Sequence, residues 1–186
     1  MVSAVRRAVL ALAVLMVAVP AQAGGPTERL KQYAAAAQQS PASVSGPSKA
    51  SSIFAVDEMA ERVLGRHWRD RTAAERAEFT PLFGELLAGV YLSQIGRYTG
   101  DRLRYTDEVI DGNRATVHLD VRAKPGEALP ITMTMGMRGD EWLIHDIIVA
   151  GTSILDAYRV QFDHVIRTSS FAELVKRLKD RRRSEN

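Results

Sequence analysis

From Arg114 to Ala123 apolar and polar residues alternate without a break. Ala115, Val117, Leu119 and Val121 fall on one face, and Thr116, His118, Asp120 and Arg122 on the other. A period of two marks a half-buried β-strand. Leu129 to Met137 repeats the pattern, with Ile131, Met133, Met135 and Met137 on one side. Leu103 to Ile110 precedes these runs as a further strand. Trp142 to Val149, rich in β-branched residues, follows them as a mostly buried one. Asp111-Gly112-Asn113, Pro125-Gly126 and Arg138-Gly139-Asp140 are turn signals between the runs. The four strands therefore form an antiparallel meander.

On both sides of the meander the apolar period lengthens to three and four residues. Pro26 to Gln38 predicts a short helix with Leu30, Tyr33 and Ala37 on one face. Phe54 to Trp68 predicts another, with Val56, Met59, Ala60, Val63, Leu64 and His67 on a broad face. Thr72-Ala73-Ala74-Glu75 is a capping box. It opens a long helix whose apolar side runs through Phe79, Phe83, Leu86, Leu87, Val90, Tyr91, Ile95 and Tyr98 to a stop at Gly100-Asp101. Pro81 removes one backbone donor there and should kink the helix near its second turn. After the strands, Gly151 breaks the chain, and Ser153 and Asp156 stand in the relation of a helix start. Leu155, Tyr158, Phe162 and Val165 make that helix greasy on one side. Ser169 and Ser170 cap a last helix through Phe171, Leu174, Val175 and Leu178. Helices, then strands, then helices describe an α+β fold. The expected architecture is a curved antiparallel four-stranded sheet covered on one face by helices, with an apolar cavity between the layers.

The 186 residues suffice for one domain. Arg6 and Arg7, the apolar run Ala8 to Val19 and the Ala21-Gln22-Ala23 site form a secretory signal peptide over residues 1–23. The alternative, an uncleaved anchor, needs roughly 20 apolar residues, and this run is shorter. Gln39 to Ser52 is rich in Ser, Pro, Gly and Ala and reads as a linker. The expected division is a short helix and linker over 24–52, the folded domain over 53–180 and a basic tail over 181–186. With no cysteine, the domain depends on its core alone. Loss of Arg6 and Arg7 with the signal takes the formal charge from +3 to +1, which gives no argument for nucleic acid. Lys176, Arg177, Lys179, Arg181, Arg182 and Arg183 crowd the C-terminus. They suit a solvated helix end, or a docking patch for anionic headgroups or an acidic partner.

Asp146 stands inside an apolar strand, where a carboxylate needs donors. Its oxygens are expected to meet nearby backbone or a basic side chain. The competing chemistry is an NTF2-like small-molecule enzyme that uses Asp146 with His118, Asp120 or His145 for proton transfer. Alternation opposes it, since His118 and Asp120 share the face opposite Val117 and Leu119, and neighbours on a strand point apart. The sequence has no Ser/His/Asp set, glycine-rich phosphate loop or HExxH motif, so no catalytic residue, metal ligand or cofactor is expected. A protein-binding adaptor is the third class.

Several segments, in order, resemble the MlaC family of periplasmic phospholipid-binding proteins, also called toluene-tolerance proteins. They are Val63-Leu64-Gly65-Arg66-His67-Trp68, the Thr72-to-Phe79 segment, Glu85-Leu86-Leu87 with Tyr91, and Trp142 to Val149. Gly151, Ser153, Tyr158, Phe162 and Ile166 continue the match. Ala150 stands where the family usually has an acidic residue, and His145 where it often has tyrosine. The resemblance implies a soluble, monomeric periplasmic carrier that holds phospholipid acyl chains between sheet and helices. Its partners would be an outer-membrane lipoprotein complex and an inner-membrane ABC transporter with an MCE-domain subunit. A hopanoid or other lipid is the alternative cargo. The residues implied to hold lipid are Val117, Leu119, Met133, Met135, Ile147, Val149, Tyr158 and Phe162, joined by Tyr91, Ile95 and Tyr98 of the long helix. Methionine suits such a wall because its side chain is flexible and polarizable.

Overall fold

The computed structural model describes residues 24–39, 50, 52–92, 102–124 and 126–185. The expected signal peptide, most of the linker, and Ile95 and Tyr98 lie outside the described residues. Helix α1 (Pro26–Gln39) comes first. Then come α2 (Val56–Leu64), the single turn α3 (Arg66–Arg69) and α4 (Ala73–Leu87), which widens into a π-helical turn over Ala88–Leu92. The strands are β1 (Leu103–Asp111), β2 (Arg114–Lys124), β3 (Glu127–Arg138), β4 (Glu141–Val149) and β5 (Thr152–Ser153). Helices α5 (Ile154–Thr168) and α6 (Phe171–Glu185) close the chain.

The sheet is antiparallel in the order β1-β2-β3-β4-β5. It has five strands where the sequence predicted four. The addition is the two-residue β5, which folds back on β4 through the turn Ala150-Gly151. Both turn residues have positive φ, 48° and 84°, the backbone of the tightest hairpins. In β4 the pairing shifts between Ile144 and Asp146, leaving His145 as an extra residue opposite β3. Such a bulge bends the strand and re-aims side chains. The His145 imidazole packs on Gly136, where an added Cβ would lie 2.5 Å from Nε2.

The stretch expected as one helix, Phe54 to Trp68, is split at Gly65. Its φ of 52° and ψ of −122° are open to glycine and costly for other residues. Phe54 instead bridges Ile144 beside β4, and the Ala55 N–H donates to the Ile144 carbonyl at 2.9 Å. Helix α4 runs on through Pro81. It starts with the expected capping box: Glu75 N–H donates to Thr72 Oγ1 at 3.2 Å, and Thr72 N–H to Glu75 Oε2 at 2.8 Å. Gly84 lets α2 approach α4, because a Cβ there would stand 3.1 Å from Val56 Cγ1.

Helices α2, α4, α5 and α6 pack together and meet the sheet chiefly at β4. Their shared core is aromatic. Phe79 and Phe83 of α4 stack 5.8 Å apart, and Phe162 of α5 meets both edge-on. Phe171 and Tyr158 extend the cluster. The Gly65-Arg66-His67 segment is tied to α5 through Asp163, whose Oδ1 accepts from Arg66 at 2.6 Å and meets His67 Nε2 at 2.8 Å. Helix α1 stands apart from this bundle and lies across β1 and β2. It lies against the sheet, whereas the sequence reading placed it with the linker over 24–52, ahead of the folded domain. At the other end, residues 181–185 continue α6 as helix. Arg182 and Lys179 reach Glu85 and Glu78 of α4.

Candidate functional site

Between α1 and the sheet lies an apolar cavity of about 30 Å³. Leu30, Tyr33 and Ala34 of α1 form its roof, and Ile53 closes one side. The floor comes from Leu103 and Tyr105 of β1, Leu119 and Val121 of β2, Ile131 and Met133 of β3 and Ile144 of β4. The floor is flush because the register puts Tyr105 opposite Leu119, Leu103 opposite Val121 and Leu119 opposite Ile131. No lining residue carries a charge. The two phenols are its polar groups, and burial raises the pKa of both. Tyr105 is pushed up to about 12, first by burial and then by the nearby Glu28 carboxylate. Both hydroxyls thus stay protonated.

Helix α1 is held at its polar edge. Thr27 N–H donates to the Glu108 carboxylate at 2.7 Å, which satisfies one free donor of the first turn. The Arg29 guanidinium donates to Glu141 at 2.8 Å and to the Tyr33 hydroxyl at 2.7 Å. Tyr33 in turn donates to the Ser52 carbonyl at 2.6 Å.

Of the residues expected to hold lipid, Leu119 and Met133 line this cavity. Val117, Met135 and Ile147 are buried in the adjoining core, and Val149 is half-buried opposite Ile131. Tyr158 and Phe162 stand elsewhere, in the aromatic cluster of α4, α5 and α6. Tyr91 falls in the π-helical turn, and its side chain, like Ile95 and Tyr98, lies outside the described residues. Sequence reasoning missed the α1 residues and Leu103, Tyr105, Val121, Ile131 and Ile144. The signal was present, since Leu30 and Tyr33 share a helical face and Val121 and Ile131 continue the strand alternations.

Asp146 is committed to the fold. It is buried, and its Oδ1 accepts the N–H groups of Ile147 and Leu155 at 2.8 and 3.3 Å. Ser153 donates to its Oδ2, and Arg62 lies 3.6 Å away. His118 instead faces Thr132, its Nδ1 3.0 Å from Oγ1. Larger hollows of about 490 and 650 Å³ flank Gly65 and Arg66, but they are open and lined by Arg159, Asp163, Arg167, Arg69 and Asp70. Hydrocarbon would gain nothing against such charged walls. Among the described residues no group of His, Cys, Asp and Glu could hold a metal ion. No described helix is long and apolar enough to cross a membrane.

The family model for MlaC protein matches residues 28–180. Over 101 residues the chain is 27% identical to the intermembrane phospholipid transport system binding protein MlaC of Haemophilus influenzae. That match covers 51% of this chain and 47% of the relative, so the chain spans about half the length of the curated relative it matches. A phospholipid-binding protein from Ralstonia solanacearum, solved in complex with a phospholipid, has the same fold. Its TM-score is 0.68 at 18% identity, covering 86% of this chain and 95% of that one.

Proposed function

The chain belongs to the MlaC protein family, and from that premise we propose that it is a phospholipid carrier that takes acyl chains onto the apolar face between α1 and the sheet. The observation that supports this reading is the uncharged lining of that cavity. A two-chain lipid has about 30 methylenes, and at ~0.8 kcal/mol each their exposure to water costs on the order of 25 kcal/mol. Lipid therefore crosses an aqueous compartment only inside a dry container. A wall of Leu, Ile, Val and Met resembles a bilayer interior in polarity, which keeps loading and unloading near balance.

The compartment in this proposal is the periplasm, reached through a signal peptide over residues 1–23. The partners are an outer-membrane complex and an inner-membrane ABC transporter with an MCE-domain subunit. The cargo is phospholipid, the ligand of the Ralstonia neighbour.

The test is mass spectrometry of the protein purified from its periplasmic fraction, intact and after solvent extraction. The expected result is a chain beginning at Gly24 and about one phospholipid per chain. Protein that yields no lipid, and takes none from vesicles after delipidation, overturns the proposal. A sterol-like hydrocarbon in place of phospholipid would redirect it to a hopanoid cargo.

A further inference from the structure

The space beneath α1 is too small for the cargo. A cavity of about 150 Å³ holds benzene's six carbons, so two tails of about 15 carbons each need on the order of 750 Å³. The cavity measures about 30 Å³. One of its walls must therefore move when tails enter.

The walls differ in how they are held. Strands β2 and β3 are hydrogen-bonded along both edges. The start of α2 is fixed through Ala55 N–H to the Ile144 carbonyl, and five of its nine residues are buried. Helix α1 makes no backbone-to-backbone bond to any strand among the described residues. Its polar ties are two side-chain ties at exposed positions, Glu108 to Thr27 and Arg29 to Glu141, and the half-buried Tyr33 hydroxyl, which lies 2.6 Å from the Ser52 carbonyl and 3.4 Å from that of Trp142 in β4. Water replaces the exposed partners at little cost. Its apolar hold on the domain comes from Pro26, Leu30 and Ala34, which are buried, and from Tyr33, partly buried against the core.

We propose that α1 is a built-in substitute for lipid tails: Leu30 and Ala34 cover the face made by Leu103, Tyr105, Val121 and Met133 while the carrier is empty, and entering tails push α1 off it. The inference rests on the carrier reading above. Its physical basis is an exchange of like for like. Two acyl tails offer this face more apolar surface than the roof of Leu30, Tyr33 and Ala34, so the exchange runs toward lipid when lipid is at hand. When lipid has left, α1 returns and the unloaded protein does not present a bare apolar sheet, which would promote aggregation. The Glu108 and Arg29 ties set how readily α1 leaves.

Hydrogen exchange of the mature chain, delipidated and then reloaded from phosphatidylethanolamine and phosphatidylglycerol vesicles, tests this. Bound lipid is counted by mass in the same samples. The amides of residues 30–36 should exchange at least tenfold faster in the loaded form, while those of β2 and α4 keep their protection. Loaded protein in which α1 is equally or better protected overturns the substitution and leaves the carrier reading standing. Protein that takes up no lipid overturns both. Separately, Glu108→Gln should load a fluorescent phospholipid several-fold faster and reach the same final lipid per chain. An unchanged loading rate counts against α1 as the moving wall.

Discussion

Ser153 donates its hydroxyl hydrogen to Asp146 Oδ2 at 2.7 Å, and its oxygen accepts the Asp156 N–H at 3.0 Å. One serine thus caps α5 and ties it to β4. Asp146 completes the joint by accepting from the Leu155 N–H at the start of the same helix. Asp146→Ala leaves buried donors without an acceptor and should cost about 3 kcal/mol. Asp146→Asn keeps the shape and part of the bonding and should cost about 1 to 2 kcal/mol. Urea unfolding measures both. Folded Asp146→Asn should carry as much lipid per chain as the parent. Loss of lipid from a well-folded Asp146→Asn would show that the carboxylate acts on the ligand.

The strands were legible because Arg114 to Ala123 and Leu129 to Met137 alternate on a sheet with one buried face, and a one-residue slip would bury His118 and Asp120. The helix starts at Thr72 and Ser153 were legible for a local reason: a cap is written within four residues. The floor of the cavity was half legible. Leu119 and Met133 lay on the right face, but alternation gives the face of a strand and not which helix covers it. Tyr158 and Phe162 share a helical stripe that the sequence set opposite the sheet, yet their partners proved to be Phe79 and Phe83. The roof was misplaced because Gln39 to Ser52 has a linker's composition, and a linker says nothing of where the helix before it docks. Strand β5 was hidden because two residues carry no period, and Ala150 does not advertise a positive φ.

The cavity volume is close to that of one methylene. Val121→Ile adds one methylene at the cavity lining, directly opposite Leu103. It should fill the void and stabilise the lipid-free protein by up to about 0.8 kcal/mol. Thermal unfolding of delipidated protein checks the gain. Filling the space favours the closed form, so the same variant should take up lipid from vesicles more slowly.

Asp163 gathers His67, Arg66 and Arg167. His67 holds its carboxyl down first, with Arg66 and Arg167 adding to the effect, from an ordinary 3.8 to about 2. A carboxyl depressed in the folded state favours folding above its unfolded pKa, and the benefit is lost as pH falls toward the folded value. Asp163→Asn should therefore be less stable than the parent at pH 6. The difference should be intact at pH 5 and shrink between pH 4 and pH 2. Denaturant midpoints across that range test the sign. A gap that widens on acidification would mean that Asp163 does not hold α3 to α5 through its charge.

The turn between β4 and β5 carries a residue in the wrong conformation for its type. Ala150 has φ 48°, and Gly151 follows at 84°. Val149 pairs with Thr152 across this two-residue loop. A loop with positive φ at both positions favours Asn-Gly, because a Cβ clashes with the following carbonyl at such angles and the asparagine side chain offsets the clash with local hydrogen bonds. The Ala150 N–H donates to the Pro130 carbonyl at 2.9 Å, a bond that asparagine retains. Ala150→Asn should then stabilise the domain by about 1 kcal/mol. Ala150→Val, β-branched and stiff, should destabilise it by at least as much. The side chain at 150 is exposed and does not line the cavity, so lipid per chain should be the same in both variants. Urea midpoints moving in opposite directions from the parent would establish the left-handed turn. Equal midpoints would mean that β4 and β5 are joined by some other backbone path.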